Sequence, residues 1–146
     1  MGIKNLVCLT GDHPGLGNHP QSKPVFDLDS IQLTQMVHGM RDEKRFQCGE
    51  EMDVEPRLFI GAVENPFGSP LQFRAIRLDK KVRAGADFIQ TQLVYNVKRF
   101  KAWMEEVRDR GVHERTYILA GVGPIRSAGA ARFMRDKVPG MDVPDE

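Results

Sequence analysis

The residues able to do chemistry stand just after short apolar runs. Thr10-Gly11-Asp12-His13-Pro14 follows Asn5–Leu9 (NLVCL), and Glu64-Asn65-Pro66 follows Leu58–Val63 (LFIGAV). Phe88–Gln92 (FIQTQ) ends in Thr91-Gln92, and Thr116–Val122 (TYILAGV) leads into Gly123-Pro124. A carboxylate at a strand tip, Asp12 beside Gly11, accepts hydrogen bonds from a heterocycle or sets the charge near a cofactor. Its plain alternative is a loop aspartate capping its own backbone. Gln90 and Gln92 share one face of a strand by the period-two rule. A carboxamide both donates and accepts, which suits the edge of a pterin or flavin ring. The plain alternative is one glutamine satisfied by neighbouring backbone and the other exposed.

Other candidates carry less. Asp12, His13 and His19 offer metal-ligating atoms, but adjacent residues rarely bind one ion together, and His13-Pro14 and His19-Pro20 read as stiff loop dipeptides. The expectation is no metal. Gly15-Leu16-Gly17 and Gly121-Val122-Gly123 do not complete a dinucleotide fingerprint, and no P-loop is present. Lys80-Lys81 falls on a helical pattern, a solvated face unless a ligand phosphate reaches it. Trp103 reads as packing rather than a stacking platform.

The four apolar runs are continuous rather than alternating, as in strands covered on both faces. Helical stripes lie between them. Ser30 is placed to cap a helix with Leu33, Val37 and Met40 and with Gly39 near its end. Leu71, Ala75, Leu78 and Val82 form a second stripe closed by Gly85, and Val97, Phe100, Met104 and Val107 a third stopped by Gly111. A fourth starts near Ser127 with Ala131, Met134 and Val138, ending at Pro139-Gly140. Arg41–Arg57 is a charged excursion. The order βαβαβαβα implies an α/β fold with a parallel sheet and right-handed crossovers. It is either a doubly wound sheet or about four of the eight units of a (β/α)8 barrel, which takes about 250 residues. In both, ligands sit beyond the carboxyl ends of the strands.

The chain has 146 residues, with 21 Lys+Arg against 20 Asp+Glu. That balance supplies no field for nucleic acid or an anionic membrane. No apolar run approaches the roughly 20 residues of a spanning helix, and the N-terminal apolar run is too short for a secretory signal. Its two cysteines, Cys8 and Cys48, make no disulfide framework, so a reducing cytoplasm is expected.

The segments GIKNLVCLTGDHP, KPVFDLDSIQL, GADFIQTQLVYNVKRFKAWM and ILAGVGPIRSAGAARFM with VPGMDVPDE resemble methylenetetrahydrofolate reductase, the flavin-dependent (β/α)8 enzyme of one-carbon metabolism. The resemblance runs over essentially the whole chain in the same order and is closest to forms with TGDHP at the first site. It implies that residues 1–146 are a partial barrel domain, similar to the fourth through seventh strand–helix units. It implies hydride transfer from reduced FAD to 5,10-methylenetetrahydrofolate, giving 5-methyltetrahydrofolate, with NADH, NADPH or another donor reducing the flavin.

By the same resemblance Asp12 matches the aspartate beside flavin and folate, in a catalytic and folate-binding role, and Gln92 the glutamine on the pterin. Lys80 and Lys81 fall where basic residues contact the FAD phosphates, and Gly61-Ala62 where backbone lines the flavin. Thr10 stands where many members carry a phosphate-binding arginine. Val63 replaces an aromatic, Arg74 an acidic residue on the FAD ribose, and Ala128 lies near a folate-stacking phenylalanine, which leaves FMN open beside FAD. The family's general-acid glutamate lies on the first strand and further flavin contacts on the second and third. The expectation is therefore a chain that by itself is not a competent reductase, completed by the remainder of the barrel or a partner chain, the complete enzyme being a homo-oligomer. The alternatives are a non-catalytic fragment or accessory folate- or flavin-binding module, and a pterin-dependent methyltransferase-like barrel.

Overall fold

The computed structural model describes residues 2–145. Four parallel strands, β1 (Asn5–Cys8), β2 (Phe59–Glu64), β3 (Phe88–Leu93) and β4 (Tyr117–Gly121), alternate with helices α1 (Ser30–Asp42), α2 (Arg74–Arg83), α3 (Val97–Asp109) and α4 (Ala128–Lys137). The sheet order is β1-β2-β3-β4. A doubly wound sheet reverses direction at a switch point, whereas here each strand lies beside the next in sequence. That order fits part of a (β/α)8 barrel.

The two faces of the sheet differ. Ile60, Ala62 and Ile89 are fully buried on the helix-covered side, where Leu78, Trp103 and Val107 pack over them or their neighbours. Trp103 is 4% exposed, so its packing role holds. The strands were expected to be covered on both faces, but the other face is open among the described residues. Phe59 and Phe88 stack there, centroids 5.2 Å apart, and Tyr117 tilts against Phe59 while remaining 70% exposed. In a closed barrel this is the interior face, filled by side chains of the opposing strands. Gly61 pairs in register with Phe88. A Cβ there would come within 2.6 Å of the Phe88 ring, so the absent side chain is what lets the ring lie flat.

Helix starts and stripes depart from the expected pattern in detail. Asp29, not Ser30, caps α1: its Oδ1 accepts from the Ile31 and Gln32 amides, while Gln32 Oε1 accepts from the Asp29 amide. This capping box overrides the serine because Gln32 stands three residues after Asp29. Gly39 lies inside α1, which runs on through Arg41-Asp42. Leu71 belongs to an exposed 3-10 turn preceding α2, and Val97 is exposed at the first position of α3. Ser127 caps α4 as expected, with Ala131, Met134 and Val138 half-buried.

Two polar ties brace the ends of the sheet. At the amino end, Asp87 Oδ2 accepts from the Ile60 amide (2.8 Å) and from Arg41 Nη1 (2.5 Å), which also reaches the Leu58 carbonyl. At the carboxyl end, the segment after α4 returns across the strand tips. Asn65 Nδ2 donates to the Gly140 carbonyl, and Asp142 accepts from Asn96 Nδ2 and Arg99 Nη1. No described helix is long and apolar enough to cross a membrane.

Candidate functional site

Two adjoining depressions open at the carboxyl ends of the strands. The first, about 330 Å³, lies between the tips of β1 and β2 and receives Thr10, Asp12, Arg74, Arg77 and Lys81. The second, about 450 Å³, spans β1 to β3 and receives Gln90 and Gln92 over apolar Val7, Leu9 and Val63. Leu9, Val63, Glu64 and Asn65 line both. Asp12 and Gln92 thus stand at the same end of the sheet, on one continuous rim.

Asp12 is exposed beyond β1, following Gly11 at φ +81°, a left-handed turn that favours glycine. Its carboxylate makes no hydrogen bond among the described residues, so it does not cap its own loop. Thr10 Oγ1 accepts from the Ser30 amide at 3.0 Å, pinning the root of the long loop to the start of α1 while leaving the hydroxyl proton free to donate. His13 Nδ1 accepts from the Gly15 amide and closes a 3-10 turn at Pro14–Leu16.

Gln90 is exposed, and Gln92 Oε1 accepts from the Leu93 amide at 2.9 Å. The plain alternative for this pair therefore describes part of what is seen. Register in β3 slips between Gln90 and Leu93, a bulge braced by Thr91 Oγ1, which accepts from the Gly121 amide. A bulge breaks strict alternation and re-aims side chains, yet both glutamines still line the second depression. The Nε2 of Gln92 makes no hydrogen bond among the described residues.

Lys80 and Lys81 part company. Lys80 is exposed and lines neither depression. Lys81 is not on a solvated face: its Nζ donates to the Val63 carbonyl (2.5 Å) and to Glu64 Oε2 (2.8 Å), with the lysine side chain 6% and the glutamate side chain 1% exposed. Arg74 Nη1 stands 3.7 Å from Glu64 Oε1, and its Nε holds the Gly68 carbonyl. Gly61 lies under Phe88 and Ala62 within the helix-side core, so neither side lines the depressions. Sequence reasoning set Glu64 and Asn65 at a strand end without a specific role and did not single out Arg77. The signal available was the spacing of Arg74, Arg77 and Lys81 by three and four, which sets three cations along one side of a helix that begins at a strand tip.

The donor set suits a flavin and a pterin: amide edges on Gln90 and Gln92, a free carboxylate on Asp12, apolar walls, and guanidinium groups for an anionic substituent. Comparison with known proteins identifies the family. The family model described as methylenetetrahydrofolate reductase matches residues 1–146. Methylenetetrahydrofolate reductase 1 of Schizosaccharomyces pombe is 40% identical over 147 residues, covering 98% of this chain and 22% of that protein. Methylenetetrahydrofolate reductase (NADH) 1 of Arabidopsis thaliana is 28% identical over 94% of this chain and 24% of its own length. Methylenetetrahydrofolate reductase 2 of Saccharomyces cerevisiae is 28% identical over 92% and 20%. The chain spans about a fifth to a quarter of these relatives.

Proposed function

Because this chain belongs to the methylenetetrahydrofolate reductase family, we propose that it carries a large part of the rim on which a flavin-dependent reduction of 5,10-methylenetetrahydrofolate takes place. The observation that carries this reading is the shared rim of the two depressions, with the unpaired Asp12 carboxylate at one end and the Gln90 and Gln92 carboxamides at the other. When bound, the flavin supplies the hydride. Asp12 accepts hydrogen bonds from the amino and ring N–H groups of the pterin and stabilises positive charge that develops on the folate. Gln92, its Oε1 already held by the Leu93 amide, donates Nε2 to a ring acceptor and so fixes the pterin's orientation. Val7, Leu9 and Val63 exclude water from the face where the rings meet.

The open aromatic face and the edges of β1 and β4, unpaired among the described residues, call for further strands. We assign those strands, and the general acid, to the rest of the barrel. The reading is tested by ligand binding to the chain itself. Flavin fluorescence is expected to be quenched on titration, and Asp12→Asn and Gln92→Leu are each expected to weaken folate binding about tenfold or more, as loss of a charged or buried hydrogen bond does. Unchanged folate affinity in both variants refutes the assignment.

A further inference from the structure

The two carboxamides on β3 are in different conditions. Gln92 is locked: its Oε1 accepts from the Leu93 amide at 2.9 Å, which fixes its orientation and leaves Nε2 as an unused donor. Gln90 is unlocked. It is exposed, makes no hydrogen bond among the described residues, and lines the second depression with Val7, Leu9 and Val63. It also lines a further depression of about 440 Å³ between the tips of β3 and β4, with Leu119 and Val122. Its register partners are Val63 on β2 and Leu119 on β4, so neither neighbouring strand sets a polar side chain opposite it. An amide left unmatched on an apolar wall costs free energy as soon as water is excluded, so the wall suits a ligand that brings a polar edge of its own.

A locked amide matches a ring edge whose polarity stays constant. An unlocked amide turns over about its last side-chain torsion and presents either oxygen or nitrogen. It therefore matches a ring position that accepts a hydrogen bond in one state and donates one in another. The pyrimidinone edge of a pterin keeps its pattern when a methylene bridge is reduced to a methyl group. A flavin ring nitrogen does not: it is an acceptor when oxidised and an N–H donor once it has taken up a hydride. From this contrast we infer that Gln90 is a ring-reading residue for the flavin. It donates Nε2 to the oxidised ring and accepts on Oε1 from the reduced one, while the fixed Gln92 serves the pterin. The inference rests on the functional reading above for the presence of a flavin.

The experiment compares wild type, Gln90→Leu and Gln92→Leu in separate anaerobic titrations. Oxidised riboflavin is followed by its own fluorescence, and reduced riboflavin and folate by protein fluorescence. Riboflavin carries no phosphate, so the ring edge dominates what is read. Gln90→Leu is expected to weaken both redox forms of riboflavin about tenfold and to leave folate affinity unchanged. Gln92→Leu is expected to do the reverse. In wild type the Gln90 side-chain amide protons are expected to move downfield with oxidised riboflavin and to stay near their free position with the reduced form. Riboflavin affinity indifferent to Gln90→Leu overturns the inference and leaves the functional reading standing. Weakening of one redox form alone, amide protons that move equally with both, or folate affinity lost along with riboflavin in Gln90→Leu also overturns it. A chain that binds neither riboflavin nor folate overturns the inference and the functional reading together.

Discussion

Replacing Glu64 and Lys81 by methionine, singly and together, probes the buried ion pair that closes the rim. The two side chains are almost wholly shielded from water and 2.8 Å apart. Removing one partner of such a pair strands the other and costs about 3–5 kcal/mol, whereas replacing both by apolar groups is close to neutral. The local geometry makes the two single variants unequal. Without Lys81, Glu64 keeps the Asn65 amide at 3.2 Å and Arg74 at 3.7 Å. Without Glu64, Lys81 keeps only the Val63 carbonyl. Glu64→Met is therefore expected near the upper end of that range, Lys81→Met near the lower end, and the double variant within about 1 kcal/mol of wild type. At about 2–4 °C per kcal/mol for a chain near this size, the glutamate variant melts roughly 10–20 °C early. Urea titrations followed by Trp103 emission and by far-ultraviolet circular dichroism give the free energies, and coincidence of the two curves checks two-state behaviour. Single-variant costs that add up in the double variant would show that the charges are not coupled, and the description of the rim would be wrong.

Four further outcomes follow from separate features. Gly61→Val drives a side chain into the Phe88 ring and is expected to cost about 1–3 kcal/mol in the same urea assay, an effect that Phe88→Ala in the same chain reduces. Asp29→Ala removes the acceptor of two amides at the start of α1 and is expected to cost about 0.5–2 kcal/mol, with Asp29→Ser recovering most of it. Burial opposes ionisation of Asp79, but Arg115 and Arg83 outweigh it and hold its carboxyl below the ordinary aspartate range. A depressed folded-state value contributes stability above the unfolded value near 3.9, lost as pH falls through the folded one; melting between pH 6 and 2 should fall less steeply below about pH 4 in Asp79→Asn. Burial raises the Cys8 thiol, partly offset by Thr34, while Cys48 is exposed. A thiol reagent at neutral pH should therefore modify Cys48 promptly and Cys8 only after denaturation, and fast reaction of both refutes the buried position of Cys8.

Much of the architecture was legible because apolar runs such as Leu58–Val63 and Thr116–Val122 carry strand information locally. The observed strands differ from them by about a residue at each end. The capped start of α1 was misread by one position, since the decisive contact is the reciprocal pair of Asp29 and Gln32 rather than the serine between them. What escaped the sequence is whatever depends on partners distant along the chain. The fate of Lys81 is decided by Glu64, seventeen residues earlier. At the bulge between Gln90 and Leu93, β4 meets β3 with Gly121 paired to Leu93 and its amide held by Thr91 Oγ1, a register that neither strand specifies alone. The placement of Asp12 with Gln92 was legible, because both follow from the rule that parallel strands present their carboxyl tips on one side.

Asp87 has a consequence for how this scaffold tolerates change. It fastens the entry of β2, the entry of β3 and the last turn of α1 at the pole away from the ligand-facing loops. Part of the energy that aligns the strands is thus lodged where no ligand is touched. Exposed side chains at the opposite pole, such as Asp12, are free to change without unfastening that tie, whereas the buried Glu64–Lys81 pair there is not. Natural variation within the lineage should accordingly concentrate at one pole and spare the other.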